Sequence, residues 1–290
     1  MFNKAEELLN LCNENNKRIS EIVIEKEIKN TDISYDELIH KMKDNLSVMK
    51  RSATSALNKE VKSVSGLTGG DSKKVEEYKN SGNTLTGSII VSAMAKALST
   101  SEVNASMGRI VAAPTAGASG ILPSAVLSAQ EKLNLTDDQV IMGLFTAAGI
   151  GEIVAKNATV SGAEGGCQAE CGVASAMAAA AIVEMAGGSP EASFNAASFA
   201  LVNIMGLVCD PIGGLVEYPC ALRNASGVVN ALISADLALA GIKSLVPFDE
   251  VVEAMYKVGK LLPESLRETA LGGVATTPTG QCLKKKLNIK

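Results

Sequence analysis

The chain has 290 residues and a hydrophobic fraction of 47%, which is ample for a core in one large domain or two. Its formal net charge at pH 7 is −4, spread along the chain without a basic stripe, so nucleic acid is not an expected partner. Aromatic residues make up only 3% and tryptophan is absent, so small and aliphatic side chains must build the core.

The N-terminal segment MFNKAEELLNLCNENNKR mixes both charge signs and lacks the apolar stretch of a secretory signal. We therefore expect a cytoplasmic protein, whose six cysteines stay reduced and act as ligands, catalytic groups or core residues. The longest uncharged stretches, 171–183 and 192–208, are shorter than the roughly 20 residues that a spanning helix requires. We expect no membrane segment.

The first part of the chain predicts helices with many charged residues. Residues 1–30 place apolar side chains at spacings near three and four, and residues 1–16 are expected to form an outer arm. A second helix begins at Ser34 with capping-box spacing and runs to about Leu57. It carries the single histidine, His40, which we expect to be solvated rather than catalytic because its neighbours are charged.

Two glycine-rich loops come next. The loop SGLTGGDSKK allows positive φ and a close approach of a ligand to the backbone. It is not a phosphate loop, because Ser72 precedes Lys73 where that motif needs glycine and no hydrophobic strand comes before it. A simple helix-to-helix turn is the alternative. After a helix over 87–98, the loop GRIVAAPTAGASGILP encloses Thr115 and Ser119, whose hydroxyls suit a small anion such as a carboxylate, although a structural loop remains the alternative.

From Asp137 onward the sequence predicts almost only helices, and alternation typical of strands is scarce. The fold class is therefore all-α, with one helical domain over 1–290 and glycine-rich active-site loops. The tail 275–282 is expected to be a loop, followed by a basic tail over 283–290. The predicted helices of this part cover 137–155, 168–186, 191–208, 223–241 and 249–261.

Four cysteines lie in glycine-rich or proline-containing settings. GAEGGCQAEC supplies Cys167 and Cys171, and VCDPIGGLVEYPC supplies Cys209 and Cys220. Turns and helix starts favour the thiolate, which binds metal. The absence of a C-x-x-C pair argues against a zinc ribbon, a thioredoxin-like pair and a ferredoxin run. The spacing thus predicts a dispersed ligand set, in which Cys171 ranks with Cys167 because i and i+4 share a helix face.

Three long motifs, GRIVAAPTAGASGILP, GAEGGCQAECGVASAMAAA and CDPIGGLVEYPC, resemble those of the α chains of iron–sulfur L-serine dehydratases, in the same order. The resemblance covers the chain from about residue 17. It implies a [4Fe-4S] enzyme without pyridoxal phosphate that converts L-serine to pyruvate and ammonia, in amino acid degradation and gluconeogenesis. It also implies a separate β chain. The cluster ligands it implies are Cys167, Cys209 and Cys220, with Cys171 as a bystander. Some members carry a terminal cysteine that reaches the open iron, and Cys282 stands at the corresponding place.

Three cysteine ligands leave one iron open as a Lewis acid that can bind a substrate hydroxyl and help it leave. Such an iron is also expected to make the enzyme oxygen-sensitive. Because the chain has one poorly placed histidine, we expect the general base on the β chain, with Lys156 and Glu164 as candidates on this chain. The substrate's charged ends are expected at loops 66–71 and 114–120, through Thr68, Gly69, Gly70, Asp71, Thr115 and Ser119.

Three alternatives remain at this level. A pyridoxal-phosphate dehydratase needs an α/β scaffold and a Schiff-base lysine, and the strand pattern is missing. A related cluster enzyme, such as an L-cysteine desulfidase, keeps every motif and differs in the leaving group. A helical module whose thiols hold structural zinc would be no enzyme at all.

Overall fold

Thirteen α-helices run through residues 1–288, which are the residues that this computed structural model describes. Within them there is no β-strand, and only two isolated bridges occur. The all-α prediction is confirmed. The helices are α1 (Ala5–Asn15), α2 (Ile19–Thr31), α3 (Tyr35–Thr54), α4 (Asp71–Asn80), α5 (Ser88–Ala105), α6 (Ile121–Leu133), α7 (Asp137–Asn157), α8 (Gly162–Gly165), α9 (Val173–Met185), α10 (Pro190–Val202), α11 (Cys220–Leu239), α12 (Phe248–Leu261) and α13 (Pro278–Lys286).

Helix α9 is the centre of the domain. All thirteen of its residues are buried, and its sequence VASAMAAAAIVEM is apolar nearly all round, as expected for a helix surrounded by others. Six of these residues are alanines, whose small side chains let neighbouring helices approach closely. Helices α6, α7, α10 and α11 pack around it. The predicted ligand Cys167, which shortly precedes Val173, is therefore anchored to the most buried element among the described residues.

One helix, α7, passes a test of length and apolar composition for crossing a membrane, with a mean hydropathy of 1.3 over its best window. Of that window, 67% is buried inside the protein. Packing against α9 and α2 thus accounts for its apolar character.

Most predicted helices are found close to their predicted positions, because their ends carry local signals. The hydroxyl of Thr136 accepts from the backbone N–H of Gln139, and the side chain of Gln139 accepts from the backbone N–H of Thr136. Ser34 caps α3 by accepting from the backbone N–H of Glu37.

Four helices were not predicted. The shortest of them, α8, spans only four residues. Helix α4 contains almost no apolar residue, so periodicity could not show it. Helix α6 includes Pro123 in its first turn, where a missing N–H group costs little. The tail 275–282 was expected to be a loop, and this is wrong, since α13 begins at Pro278 with the hydroxyl of Thr277 as its cap. Of the basic tail 283–290, residues 289–290 lie outside the described part of the chain.

The N-terminal residues 1–16, expected as an outer arm, lie against the domain. Phe2 and Leu8 are at most 1% exposed, and α1 packs on α2, α10 and α12. The end of α7 holds this segment, because Lys156 bonds to the carbonyl of Phe2 and Asn157 bonds to that of Asn3.

Candidate metal centre and substrate site

Three of the predicted ligands are brought into the buried interior by different local structures. Cys167 follows Gly166, whose φ of 76° makes the turn that begins the approach to α9. Cys209 lies in an extended segment, and its N–H and C=O groups bond to Leu266 and Glu268 of the C-terminal region. Cys220 is the first residue of α11. The three side chains are 1%, 2% and 7% exposed, and none forms a disulfide.

A carboxylate belongs to this thiol group. One ligand atom each from Cys167, Glu170 and Cys209 lies within 4.8 Å of the other two. Glu170 sits in a π-helical turn, Gln168–Gly172, between Cys167 and α9. Such wide turns are frequent at functional sites because they redirect side chains. Glu170 was not among the predicted site residues, although its i+3 spacing from Cys167 places both on one helix face.

Two glycine-rich motifs meet at the carboxylate of Glu170. A Cβ atom at Gly117 would lie 2.6 Å from Oε1, and one at Gly162 would lie 3.0 Å from Oε2 and 3.3 Å from the sulfur of Cys209. A side chain at either position would push the carboxylate of Glu170 out of this arrangement. The hydroxyl of Thr115 donates a hydrogen bond to Oε1 of Glu170, so loop 114–120 touches the site directly.

Arg223 and Asp210 form a buried ion pair next to the thiols. Arg223 Nη1 donates to the sulfur of Cys167 at 3.3 Å, and Nη2 donates to Asp210 Oδ1 at 2.6 Å. Asp210 Oδ2 accepts from the backbone N–H of Val274 at 2.7 Å. The C-terminal region therefore crosses the segment that carries Cys209. Neither residue was among the predicted site residues, although Asp210 follows Cys209 directly and Arg223 follows Cys220 by three positions.

The thiols divide into one thiolate and its neighbours. Hydrogen bonds from Cys171 and Cys209, together with Arg223, lower the pKa of Cys167 to about 3 against the effect of burial. The hydrogen bond to Cys167 and burial raise the pKa of Cys209 and that of Cys171. Burial, followed by the negative charge of Cys167, raises the pKa of Cys220. Among these four cysteines, the thiolate form is thus favoured at Cys167 and the thiol form at the other three.

Carboxylates next to the thiols have raised pKa values. Burial raises the pKa of Glu170 to about 7, and the charge of Cys167 adds to this effect. Burial and the same charge raise the pKa of Glu268. Several thiols and carboxylates therefore face a single guanidinium, that of Arg223. This donor set is rich in sulfur and can release several protons to a bound cation, which fits a positively charged group of soft metal ions.

The loop 66–71 is tied to the cysteine motif by a side-chain bond. The hydroxyl of Thr68 donates to Oε2 of Glu217 at 2.9 Å, and Glu217 is 7% exposed between the last two cysteines of the group. Gly69, with φ 144°, packs on the backbone of Val61, and Gly70 precedes α4 with φ 80°.

Asp71 is directed away from that contact. Its side chain pairs with Lys74, and its backbone N–H donates to Glu102 Oε1. Of the four residues predicted in this loop, Thr68 is thus the one with a side-chain bond toward the cysteine motif.

The loop 114–120 is held by α11. Asn224 Oδ1 accepts from the backbone N–H of Gly120 at 2.9 Å, and its Nδ2 donates to the carbonyl of Gly117 at 2.7 Å. Ser119 is 1% exposed at the start of α6, whereas Thr115 is half-buried. Of the two hydroxyls predicted here, Thr115 is the one that reaches the thiol group, through Glu170.

Three other candidates lie elsewhere among the described residues. Lys156 bonds to Asn3 and pairs with Glu152, so it anchors the N-terminal segment. Glu164 is exposed on α8, next to the turn that carries Cys167. Cys282 is exposed on α13, which packs on the turn 212–214 between Cys209 and Cys220.

Comparisons with known proteins place these features in a family. A profile described as "Serine dehydratase alpha chain" matches residues 14–275. The chain is 53% identical to the "L-serine dehydratase, alpha chain" of Peptoniphilus asaccharolyticus over 98% of both chains. It is 51% identical to the "Probable L-serine dehydratase, alpha chain" of Bacillus subtilis, covering 99% of this chain and 95% of that one. A Helicobacter pylori protein named "L-serine dehydratase" is 38% identical, and the match covers 62% of its length. The chain belongs to the serine dehydratase alpha-chain family.

Proposed function

We propose that the chain is the catalytic α chain of an iron–sulfur L-serine dehydratase, which converts L-serine to pyruvate and ammonia in the cytoplasm. The observation that carries this proposal is the buried group of Cys167, Glu170 and Cys209, in a chain 51–53% identical to proteins named as L-serine dehydratase alpha chains. This activity is that of a lyase in amino acid degradation, and pyridoxal phosphate has no part in it.

The proposed ligands of a [4Fe-4S] cluster are Cys167, Cys209 and Cys220. Their burial and sulfur chemistry suit iron–sulfur ligation, which uses cysteine thiolates. When bound, such a cluster with one open iron supplies a Lewis acid for the hydroxyl of the substrate. The remaining cysteines are assigned lesser roles: Cys171 supports Cys167 by a hydrogen bond, and Cys282, exposed on α13, is the candidate tail ligand.

Residues of this chain bind and orient the substrate. The carboxylate of Glu170 is half-buried beside the thiols, and we assign it to the positively charged amino group of L-serine. Thr115 orients this carboxylate through its hydrogen bond to Oε1. The substrate carboxylate is assigned to loops 66–71 and 114–120, which carry Thr68, Gly69, Gly70, Asp71 and Ser119, and the hydroxyl of Thr68 is the group of loop 66–71 that bonds toward the cysteine motif.

Removal of the proton on the α-carbon requires a base, and Glu170 is assigned here to the amino group of the substrate instead. The single histidine, His40, has a side chain that is 76% exposed on α3 and lies near Asp44. Lys156 is bonded to the N-terminal segment through Asn3. Glu164 is exposed on α8. We therefore assign the base to a separate β chain, as the alpha-chain names of the relatives support.

The first test is the metal content of the chain purified without oxygen. We expect about four iron and four acid-labile sulfide atoms per chain, the composition of one [4Fe-4S] cluster. Addition of the β chain should then give pyruvate from L-serine, and air should abolish this activity until iron and reductant are added. Zinc without sulfide would instead support a structural zinc module. Full activity of this chain alone would contradict the assignment of the base to the β chain.

A related lyase that acts on another β-substituted amino acid, such as an L-cysteine desulfidase, is the second candidate. The same thiols and the same carboxylate would serve it, because the two reactions differ in the leaving group. Parallel assays with L-serine and L-cysteine at equal concentrations separate the two. Sulfide release faster than pyruvate formation from L-serine would favour the desulfidase.

A further inference from the structure

We propose that Arg223 is a positioning residue that holds the sulfur of Cys167 by a hydrogen bond and slows the loss of the metal group bound there. The inference rests on the proposed function, because it requires a cluster at Cys167. It assigns a role to a buried cation that is not itself a metal ligand.

Helix α11 carries both Cys220 and Arg223. Cys220 is the first residue of α11, and Arg223 follows it by about one turn. The helix that supplies one proposed ligand therefore also delivers a hydrogen-bond donor to another, Cys167, at 3.3 Å. In residues 1–288, no second lysine or arginine side chain bonds to a cysteine sulfur.

Asp210 fixes the direction of the guanidinium. Its Oδ1 accepts from Nη2 of Arg223 at 2.6 Å, while Nη1 of the same planar group points to the sulfur. The side chains of Arg223 and Asp210 are 15% and 4% exposed, so water competes little for either bond. A lysine has a single charged nitrogen and cannot reproduce the two-armed geometry.

The pair also joins the two cysteine segments. Asp210 adjoins Cys209, and Arg223 reaches across to Cys167, which lies on the approach to α9. The second oxygen of Asp210 accepts from Val274 and is therefore not free to rotate away. Three segments of the chain thus hold the donor in place before any metal binds.

Two physical consequences follow. A donor to a ligand sulfur stabilises its negative charge, and hydrogen bonds of this kind raise the reduction potential of a cluster. Loss of such an outer contact typically weakens metal binding by about tenfold to a hundredfold. Removal of Arg223 should therefore lower the midpoint potential and speed the release of iron.

The test compares Arg223→Gln, Arg223→Lys and Asp210→Asn with the unaltered chain, all purified without oxygen and reconstituted with iron and sulfide. Arg51→Gln is the matched control, because Arg51 is exposed on α3. The measurements are iron and sulfide content, the midpoint potential, and the rate of iron transfer to an excess of chelator. Circular dichroism shows whether each variant keeps its helices.

We expect Arg223→Gln to lose iron about ten times faster or more and to have a lower potential, with Arg223→Lys and Asp210→Asn in between and Arg51→Gln unchanged. If the unaltered chain holds a cluster and the Arg223 and Asp210 variants match it in potential and release rate, the inference is wrong while the proposed function stands. If the unaltered chain holds neither iron nor sulfide, both are wrong. If the Arg223→Gln chain does not fold, the Asp210→Asn chain decides the test instead. Its asparagine keeps an acceptor of similar shape.

Discussion

At the scale of single residues, Glu170 connects the buried cysteines to loop 114–120. It lies within 4.8 Å of two cysteine sulfurs, accepts a hydrogen bond from Thr115, and leaves no room for a Cβ atom at Gly117 or Gly162. Three different parts of the sequence thus converge on one carboxylate. A serine molecule that binds here has its positively charged amino group matched by a negative side chain.

This role can be tested with Glu170→Gln, which keeps the shape of the side chain and removes its charge. We expect the KM for L-serine to rise about tenfold or more, because a hydrogen bond to a charged group contributes about 1.5–3 kcal/mol, and kcat to change much less. Steady-state kinetics with the β chain present measure both. Glu14→Gln, at an exposed site on α1, is the control. A fall of about a hundredfold in kcat at unchanged KM would instead place Glu170 in the chemical step.

At the scale of elements, helix α12 fixes the turn that carries Cys167. Its Gly259 faces Gly165, and a Cβ atom there would lie 2.8 Å from the Cα of Gly165 and 3.2 Å from Nε2 of Gln168. Gln168 bonds to the carbonyls of Gly165 and Met255 and accepts from the N–H of Gly206. The side chain of Gln168, next to Cys167, thus links three segments of the chain.

We therefore expect Gly259→Ala to destabilise the protein and to make the turn that carries Cys167 less rigid. The added methyl group must push α12 away from the turn, and overpacking of this kind costs about 1–3 kcal/mol. Thermal unfolding of the metal-free chain measures the loss, and cluster content after reconstitution measures the effect on the site. Lys257→Ala, at an exposed position of α12, should change both little. Equal stability of Gly259→Ala and the unaltered chain would contradict the tight packing described here.

The helices themselves were largely predictable from the sequence, because their signals are local. The cap at Thr136 and the uncharged alanine-rich run of α9 needed no knowledge of the tertiary fold. Helix α4 could not be found in this way, since its ten residues are mostly charged or polar and its packing on α5 decides its structure. The boundary at α6 was missed because Pro123 signals a loop unless its position in a first turn is known.

At the scale of the whole molecule, the sequence predicted which motifs gather but not which side chains face one another. Cys167 and Cys209 come together as expected, and Glu170 and Arg223 arrive with them. Spacing relates residues within one helix, whereas the contact between Arg223 and Cys167 depends on how α11 lies against the approach to α9. Composition alone likewise could not show that Lys156 serves the N-terminal segment.

The crossing of the C-terminal region over Asp210 and Cys209 has a consequence for the order of biosynthesis. All three proposed ligands leave the ribosome before Leu266, Glu268 and Val274, which close over the Cys209 segment. At 5–20 residues per second, the interval between Cys220 and Val274 lasts about 3–10 seconds. We expect chains stalled just before residue 266 to take up iron faster than completed metal-free chains, as radioactive iron would show. Equal uptake would mean that the finished fold opens readily. The nascent chain thus offers its thiols to a metal donor for a short time, and translation itself then closes the site.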